Sequence, residues 1–190
     1  MRTFSADLKR HRALRERVTV SGALRLLWED YGLQALLAYR LGRWAVARRP
    51  RPFWWPVLAA ALPVYFLASR YVRLVYGIRL DLSADIGPGL YIGHFGNIWL
   101  RNCRLGAGCS ISQSSRVGPA CPGGKGPEIG DRVWIGAHAQ VIGDIRVGDG
   151  CTVSAASVLT RDLVDQTLCM GNPARAVLRG YDNTRMLNPD

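Results

Sequence analysis

An aliphatic residue returns every six positions through the second half of this chain. One slipped residue and one gap of twelve interrupt the series, which runs Leu80, Ile86, Ile92, Ile98, Leu105, Ile111, Val117, Ile129, Ile135, Val141, Val147, Val153 and Leu159. A six-residue period is too short for a helical repeat, but it fits one short strand and one turn per unit. The spacing therefore predicts a parallel β-helix, in which each unit is buried only against the units above and below it.

The 190-residue chain carries a net charge of +11, and all of the excess lies before the repeat. Residues 1–79 hold 15 Lys and Arg against 4 Asp and Glu, whereas residues 80–190 hold 10 of each sign. Nucleic acid and anionic membranes are the usual partners of a basic segment. We expect no nucleic-acid partner, because this basic segment contains a long apolar run and no nucleic-acid motif.

The basic half of the chain contains two helical candidates. Residues 21–49 carry apolar side chains at helical spacing, behind a polar and basic stretch at 1–20. Residues 53–68 are apolar and uncharged, but they are interrupted by Pro56 and Pro63. Because about 20 residues are needed to span a bilayer, we predict an interfacial or re-entrant element on an anionic membrane. A helix buried against a partner subunit is the alternative.

The chain divides into a helical region at 1–77, a β-helix domain at 78–180 and a loose tail at 181–190. Within the domain, residues 119–127 are rich in Pro and Gly and should leave the coil as a loop. Five cysteines without a CxxC pair favour buried thiols in a reducing compartment, and we expect no bound metal. The first twenty residues lack the apolar core of a cleavable signal peptide.

Four stretches of sequence carry a family resemblance. They are GLYIGHFGNI at 89–98, ISQSS at 111–115, IGDRVWIGA at 129–137 and GNPAR at 171–175. By these motifs the chain resembles the hexapeptide-repeat acyltransferases, and in particular the serine-acetyltransferase-like enzymes of capsule and exopolysaccharide synthesis, of the colanic-acid type. The resemblance implies a left-handed parallel β-helix, a homotrimer and acetyl-CoA as co-substrate.

The resemblance places His94 in the catalytic position. Moving an acetyl group from a thioester to a hydroxyl requires a base that takes the hydroxyl proton, and an imidazole suits this task. The resemblance implies direct attack by the acceptor, without an acyl-enzyme. An ordinary surface turn is the alternative interpretation of the same histidine.

The other candidate residues are grouped by the substrate that they would meet. Acceptor-site candidates are Asp81, Asn97 and Gln113. Fixed cations suit the phosphates of CoA, and small residues leave room for its thin pantetheine arm. The acyl-CoA candidates are Lys125, Gly136, Ala137, Ala155, Ala156, Arg161, Pro173 and Arg175. One backbone N–H among the small residues is expected to stabilise the oxyanion.

Three positions depart from the serine acetyltransferases that the chain resembles. Arg79 stands where the resemblance implies an Asp that orients the catalytic histidine, and Asp81 lies two residues later. Gly93 stands in place of the Asp directly before the histidine, and Gly126 in place of a second histidine of the serine site. These departures favour a sugar hydroxyl over serine as the acceptor.

We therefore predict an O-acetyltransferase that uses acetyl-CoA to acetylate a sugar in a cell-surface polysaccharide or its lipid-linked precursor. It would be cytoplasmic and peripheral on the inner face of a bacterial plasma membrane, held through residues 1–77. Two alternatives stay open: a serine O-acetyltransferase of cysteine biosynthesis, and a non-catalytic β-helix scaffold.

Overall fold

The computed structural model describes residues 2–14 and 29–187. Its helices are α1 (Arg2–Leu14), α2 (Tyr31–Arg48), α3 (Trp55–Val75) and α4 (Thr184–Leu187), and a 3-10 turn at Pro52–Trp54 precedes α3. The strands are β1 (Arg79–Leu80), β2 (Asp85–Ile86), β3 (Tyr91–Ile92), β4 (Trp99–Leu100), β5 (Arg104–Leu105), β6 (Ser110–Ile111), β7 (Arg116–Gly118), β8 (Glu128–Ile129), β9 (Trp134–Ile135), β10 (Gln140–Ile142), β11 (Arg146–Val147), β12 (Thr152–Val153), β13 (Val158–Leu159), β14 (Thr167–Gly171) and β15 (Ala174–Arg179). Residues 15–28, which fall in the predicted helical stretches, lie outside the described residues.

The strands form three sheets, and from β1 to β13 each sheet takes every third strand along the chain. Sheet A has the order β1-β4-β7-β10-β13, and sheet B has the order β2-β5-β8-β11. Sheet C has the order β3-β6-β9-β12-β14, with β15 added antiparallel to β14. Every other pairing is parallel, so successive turns of the chain stack strand on strand. The predicted parallel β-helix is confirmed.

Each strand turns one side chain into the coil, where it stacks on its equivalents. The inward series of sheet A is Leu80, Leu100, Val117, Val141 and Leu159. Sheet C stacks Ile92, Ile111, Ile135, Val153 and Cys169. Nearly all of these side chains are fully buried, and each aliphatic one contributes roughly 1.5–3 kcal/mol.

The period is interrupted at a different place from the one read in the sequence. Leu100, and not Ile98, is the inward residue of β4, because it pairs with the inward residue of β1. Eight positions therefore separate Ile92 from Leu100, and only five separate Leu100 from Leu105. Ile98 is also fully buried, but it occupies the position before the strand, as Ser115 does before β7 in the next coil. The turn between β3 and β4 thus holds two extra residues.

Helix α2 covers the first coil of the β-helix. Tyr39 Oη donates a hydrogen bond to Ala84 O at 2.7 Å. Gly42 lies between the coil and α3, where a Cβ atom would approach the Tyr65 ring to 2.5 Å and Leu82 to 2.8 Å. Glycine at this position lets α2 pack closely against both α3 and the first coil.

A buried polar network joins α1 to the same coil. His11 Nδ1 lies 2.9 Å from Asp30 Oδ2, and His11 Nε2 lies 3.2 Å from Leu90 O. Asp7 accepts from the backbone N–H of Gly89 at 2.6 Å. His11 therefore has a structural role, because the loss of one buried partner would leave another polar group unsatisfied.

Two segments differ from their expected form. Helix α3 is longer than the apolar run, since Pro56 lies in its first turn and Pro63 lies inside it without ending it. The stretch Pro52–Val75 is long and apolar enough to cross a membrane by length and composition alone. The expected loose tail is wrong for residues 181–187, where Asn183 Nδ2 donates to Arg132 O at 2.9 Å.

Candidate active site

His94 lies exposed on the widened turn between β3 and β4. Backbone hydrogen bonds hold this turn on both sides: Gly96 N donates to Tyr76 O at 2.9 Å, and Ser114 N donates to Gly96 O at 2.7 Å. Asn97 completes the turn with a φ of 48°, a left-handed conformation that Asn tolerates. The backbone of the turn is therefore fixed, while the imidazole faces solvent.

An aromatic cluster supports the same turn from the side of helices α1, α2 and α3, which we call the helical layer. Tyr31, the first residue of α2, donates from its hydroxyl to Gly93 O at 3.0 Å. Its ring packs edge-on against Phe95, with 5.4 Å between the ring centroids, and lies 5.9 Å from the ring of Tyr76. Sequence analysis missed this support for His94, because helical spacing marks an aromatic residue as buried without saying which turn it contacts.

The four turns that join sheet C to sheet A, together with the β14–β15 hairpin, stack into one edge, which we call the histidine edge. It consists of residues 93–97, 112–115, 136–139, 154–157 and 171–174. His138 N donates to Gln113 O at 2.9 Å, and Gly171 N donates to Ser157 Oγ at 3.1 Å. At the strand spacing of about 4.8 Å, the four steps from first turn to last cover about 19 Å.

The histidine edge brings together most of the candidate residues. His94, Asn97, Gln113, Gly136, Ala137, Ala155, Ala156 and Pro173 lie on it, and Arg175 lies one residue beyond its last turn. The candidate base thus stands near one end of the edge, and the exposed Arg175 stands at the other.

Two of the four backbone N–H groups expected beside the pantetheine arm of CoA donate hydrogen bonds within the protein. Gly136 N donates to Val153 O at 2.9 Å, and Ala156 N donates to Ala137 O at 2.8 Å. The N–H groups of Ala137 and Ala155 remain the candidates for binding an oxyanion. A Cβ atom at Gly136 would lie 2.6 Å from Ala155 N, so a side chain has no room there.

Three candidate residues lie away from the histidine edge. Asp81 follows β1 at the opposite end of the strand, where its carboxylate lies 3.8 Å from Arg101 Nε. Arg161 follows β13 at that same corner of the coil. Lys125 is exposed on the predicted loop, which leaves the coil between β7 and β8. The structure of one chain does not join these three side chains to His94.

Arg79 takes part in an aromatic contact on the outer face of sheet A. Its guanidinium carbon lies 5.6 Å from the centre of the Trp99 ring, and that of Arg116 lies 4.7 Å from the same ring. A guanidinium group has no hydrogen-bond acceptor. Arg79 is therefore unable to replace a carboxylate that would orient the imidazole of His94.

The cysteines do not supply a nucleophile near the edge. Cys103, Cys109, Cys151 and Cys169 are buried. Burial raises the pKa of the Cys103 thiol to about 12 and the pKa values of Cys109 and Cys169 to about 11, so these thiols stay protonated near neutral pH. In residues 2–14 and 29–187, no group of three or more His, Cys, Asp or Glu side chains is placed to hold a metal ion.

Comparison with known sequences gives two findings. Residues 126–161 match the family model described as bacterial transferase hexapeptide (six repeats). A serine acetyltransferase of Helicobacter pylori is 32% identical over 151 residues, which cover 78% of this chain and 82% of the relative. A serine acetyltransferase of Synechococcus elongatus is 30% identical over 152 residues, but this chain spans only 57% of its length.

Solved structures with the same architecture include two complexes. Soybean serine acetyltransferase complexed with serine has a TM-score of 0.71 and 28% identity, over 93% of this chain and 68% of the soybean chain. Serine acetyltransferase of Brucella abortus in complex with coenzyme A has a TM-score of 0.73, over 94% of this chain and 67% of that one. At 20% identity, this second likeness shows the fold alone.

Proposed function

Because this chain belongs to the serine acetyltransferase family of hexapeptide-repeat transferases, we propose that it transfers an acetyl group from acetyl-CoA to a hydroxyl group, with His94 as general base. The observation that carries the proposal is the exposed imidazole on a fixed, widened turn, at one end of an edge of small residues. The sequence prediction of an acyl-CoA-dependent enzyme agrees with the activity that names the relatives and with the coenzyme A complex of the Brucella protein.

The reaction assigns a separate task to each part of the histidine edge. The imidazole of His94 takes the proton of the acceptor hydroxyl as the oxygen attacks the thioester carbonyl. The N–H of Ala137 or Ala155 donates to the oxyanion of the tetrahedral intermediate, a contact that is typically worth about 3 kcal/mol. The carbon–sulfur bond then breaks, and the leaving thiolate of CoA recovers the proton from the imidazolium.

The donor would lie along the small residues of the edge. The pantetheine arm would pass the small residues Ala137, Ala155 and Ala156, and the thioester would reach the end of the edge that holds His94. Arg175, exposed beyond the last turn, is the cation that would meet a CoA phosphate.

Serine is the acceptor that the relatives favour. Both curated relatives are named serine acetyltransferases, and the soybean structure contains serine. A sugar hydroxyl of a cell-surface polysaccharide or its lipid-linked precursor is the second candidate. It is favoured by Arg79, Gly93 and Gly126, which stand where the resemblance implies two aspartates near the catalytic histidine and a second histidine of the serine site.

The acceptor is tested by measuring thiol release from acetyl-CoA with the full-length protein. Turnover with serine supports the first candidate, whereas turnover with saccharides and not with serine supports the second. Binding of CoA without turnover on either acceptor would contradict transfer to these hydroxyls. Absence of CoA binding would overturn the proposal and leave the scaffold alternative.

The base is tested with a His94→Ala variant, which is expected to lower kcat by about 10²–10⁴-fold and to keep CoA binding. His138→Asn is the matched control, because it removes the exposed imidazole two turns further along the histidine edge and Asn tolerates the φ of 60° there. Full kcat in His94→Ala would refute the assignment of His94 as the base.

A further inference from the structure

Helix α3 turns an apolar surface to the solvent. Its exposed large side chains are Trp55, Val57, Leu62, Val64, Phe66, Leu67, Tyr71, Leu74 and Val75. Leu58 and Val72 are the buried residues of this helix. At 100° per residue, the exposed positions cover more than half of the helix circumference. A contiguous apolar surface of this kind marks an interaction site.

The charged residues of α3 and its preceding turn are all positive, and Asp81 of the first coil lies on the side of α3 that carries Tyr65. Arg51 precedes the helix, Arg70 and Arg73 lie near its end, and no Asp or Glu occurs between residues 31 and 80. The lipid headgroups of an anionic bilayer attract each nearby arginine enough to raise binding about fivefold. The surface therefore combines an apolar face with a basic rim, which is the chemistry of an anionic membrane surface.

The packing of α3 sets its orientation. Helix α3 packs against both α2 and β1, and its Tyr65 ring lies beside Gly42 of α2 and Leu82 of the first coil. One side of α3 thus rests on the protein, and the opposite side faces outward from the end of the β-helix. Trp44 and Trp54 meet edge-on at 5.7 Å beside the start of α3, and Trp is a residue enriched at membrane interfaces.

We propose that the outward face of α3 docks on an anionic lipid bilayer and lies in the plane of one leaflet. A second copy of the chain fits less well, because a contact between copies would bring the arginines of one rim near those of the other. A helix that rests on the protein along one side also matches an in-plane element better than a spanning one.

Docking has a consequence for the reaction, and this consequence rests on the proposed function. Tyr76, the residue that follows α3, accepts the N–H of Gly96 in the His94 turn at 2.9 Å. The lipid-facing helix and the turn that carries the base are therefore joined through one residue. An acceptor anchored in lipid would reach His94 without leaving the membrane.

The test measures sedimentation of the full-length protein with vesicles of phosphatidylcholine mixed with phosphatidylglycerol. We expect binding at low salt that weakens as salt is added, and little binding to phosphatidylcholine alone. Leu67→Glu, at a position 70% exposed on α3, should lower vesicle binding at least about tenfold. Val164→Glu, at a position 61% exposed on the β-helix, is the matched control and should bind as the wild type does.

Arginine variants and an activity assay cover the case in which Leu67→Glu does not fold. Arg70→Gln and Arg73→Gln should each weaken binding about fivefold without touching the apolar face, so they serve where Leu67→Glu fails to fold. Absence of binding by the wild type at low salt would overturn the proposal. So would a Leu67→Glu protein that keeps vesicle binding but loses its self-association. Acetyl transfer to a soluble acceptor, measured on the same preparations, separates a failure of docking from a failure of the proposed activity.

Discussion

The turn that carries His94 is two residues longer than the hexapeptide repeat requires. A regular hexapeptide would place the inward residue of β4 six positions after Ile92, whereas Leu100 lies eight positions after it. The extra length lifts the turn from the coil and leaves the imidazole exposed. Tyr31 holds the lifted turn through Gly93, so the position of the base depends on a side chain from the helical layer.

Tyr31→Phe tests this support. The variant loses the hydrogen bond to Gly93 O but keeps a ring that packs on Phe95, so we expect kcat to fall several-fold with KM little changed. The free energy of unfolding should fall by about 1 kcal/mol. Tyr181→Phe, in the C-terminal segment, is the control for loss of a phenol hydroxyl. An equal loss of kcat in both variants would contradict the assignment of Tyr31 as a residue that positions His94.

Thiol reactivity should distinguish Cys121 from the other cysteines. Cys121 is exposed on the loop, whereas the remaining four are buried, and burial raises the pKa values of Cys103, Cys109 and Cys169 to about 11 or 12. We expect Ellman's reagent to titrate one thiol in the folded protein at mildly alkaline pH and all five after denaturation. Cys121→Ser should abolish the folded-state reaction, and a fast second thiol would contradict the buried assignments.

At the scale of elements, aspartates stack along the corner between sheets B and C. Asp131 Oδ1 accepts from Ala107 N at 2.7 Å, and Asp149 Oδ1 accepts from Asp131 N at 2.7 Å. Asp165 Oδ1 continues the series by accepting from Asp149 N at 2.9 Å. Each carboxylate thus satisfies a backbone N–H of the preceding turn of the coil, and the residue beneath it must be small.

The Gly148→Ala variant tests whether the residue beneath Asp165 must be small. A Cβ atom there would lie 2.1 Å from Asp165 Oδ1 and 2.6 Å from Asp165 N, so the aspartate and its backbone would have to move. We expect a loss of about 1–3 kcal/mol in the free energy of unfolding, measured by urea denaturation. Ser154→Ala, at the equivalent position after β12, is the control because a side chain already fits there. An unchanged unfolding midpoint in Gly148→Ala would contradict the crowding.

At the scale of the whole molecule, charge and apolar surface are concentrated at one end. Residues 1–79 carry the whole net charge of +11, and the described helices among them, α1, α2 and α3, lie against the first coil. The β-helix that follows is neutral overall. This division separates a surface for an anionic partner from a scaffold that holds the histidine edge.

We propose that the chain assembles as a homotrimer, as the resemblance implies, with Lys125 or Arg161 of one subunit completing the edge of its neighbour. Sedimentation equilibrium should give about three times the chain mass of 20.9 kDa. Threefold symmetry would gather three α3 helices at one end and strengthen vesicle binding through avidity. A fully active monomer would contradict the assembly.

His94 became the candidate base through the family resemblance, whereas the sequence by itself determined the parallel β-helix and the loop at 119–127. These features are local, since a six-residue period fixes the strand repeat and Pro and Gly end a strand without reference to distant residues. Only the tertiary structure decided that Leu100 faces inward, that Asp81 lies away from the histidine edge and that Tyr31 holds the turn of His94. The physical reason is register, because the stacking of one coil on the next decides which turns become neighbours. Contacts between residues far apart in the chain leave no periodic pattern in the sequence from which they could be predicted.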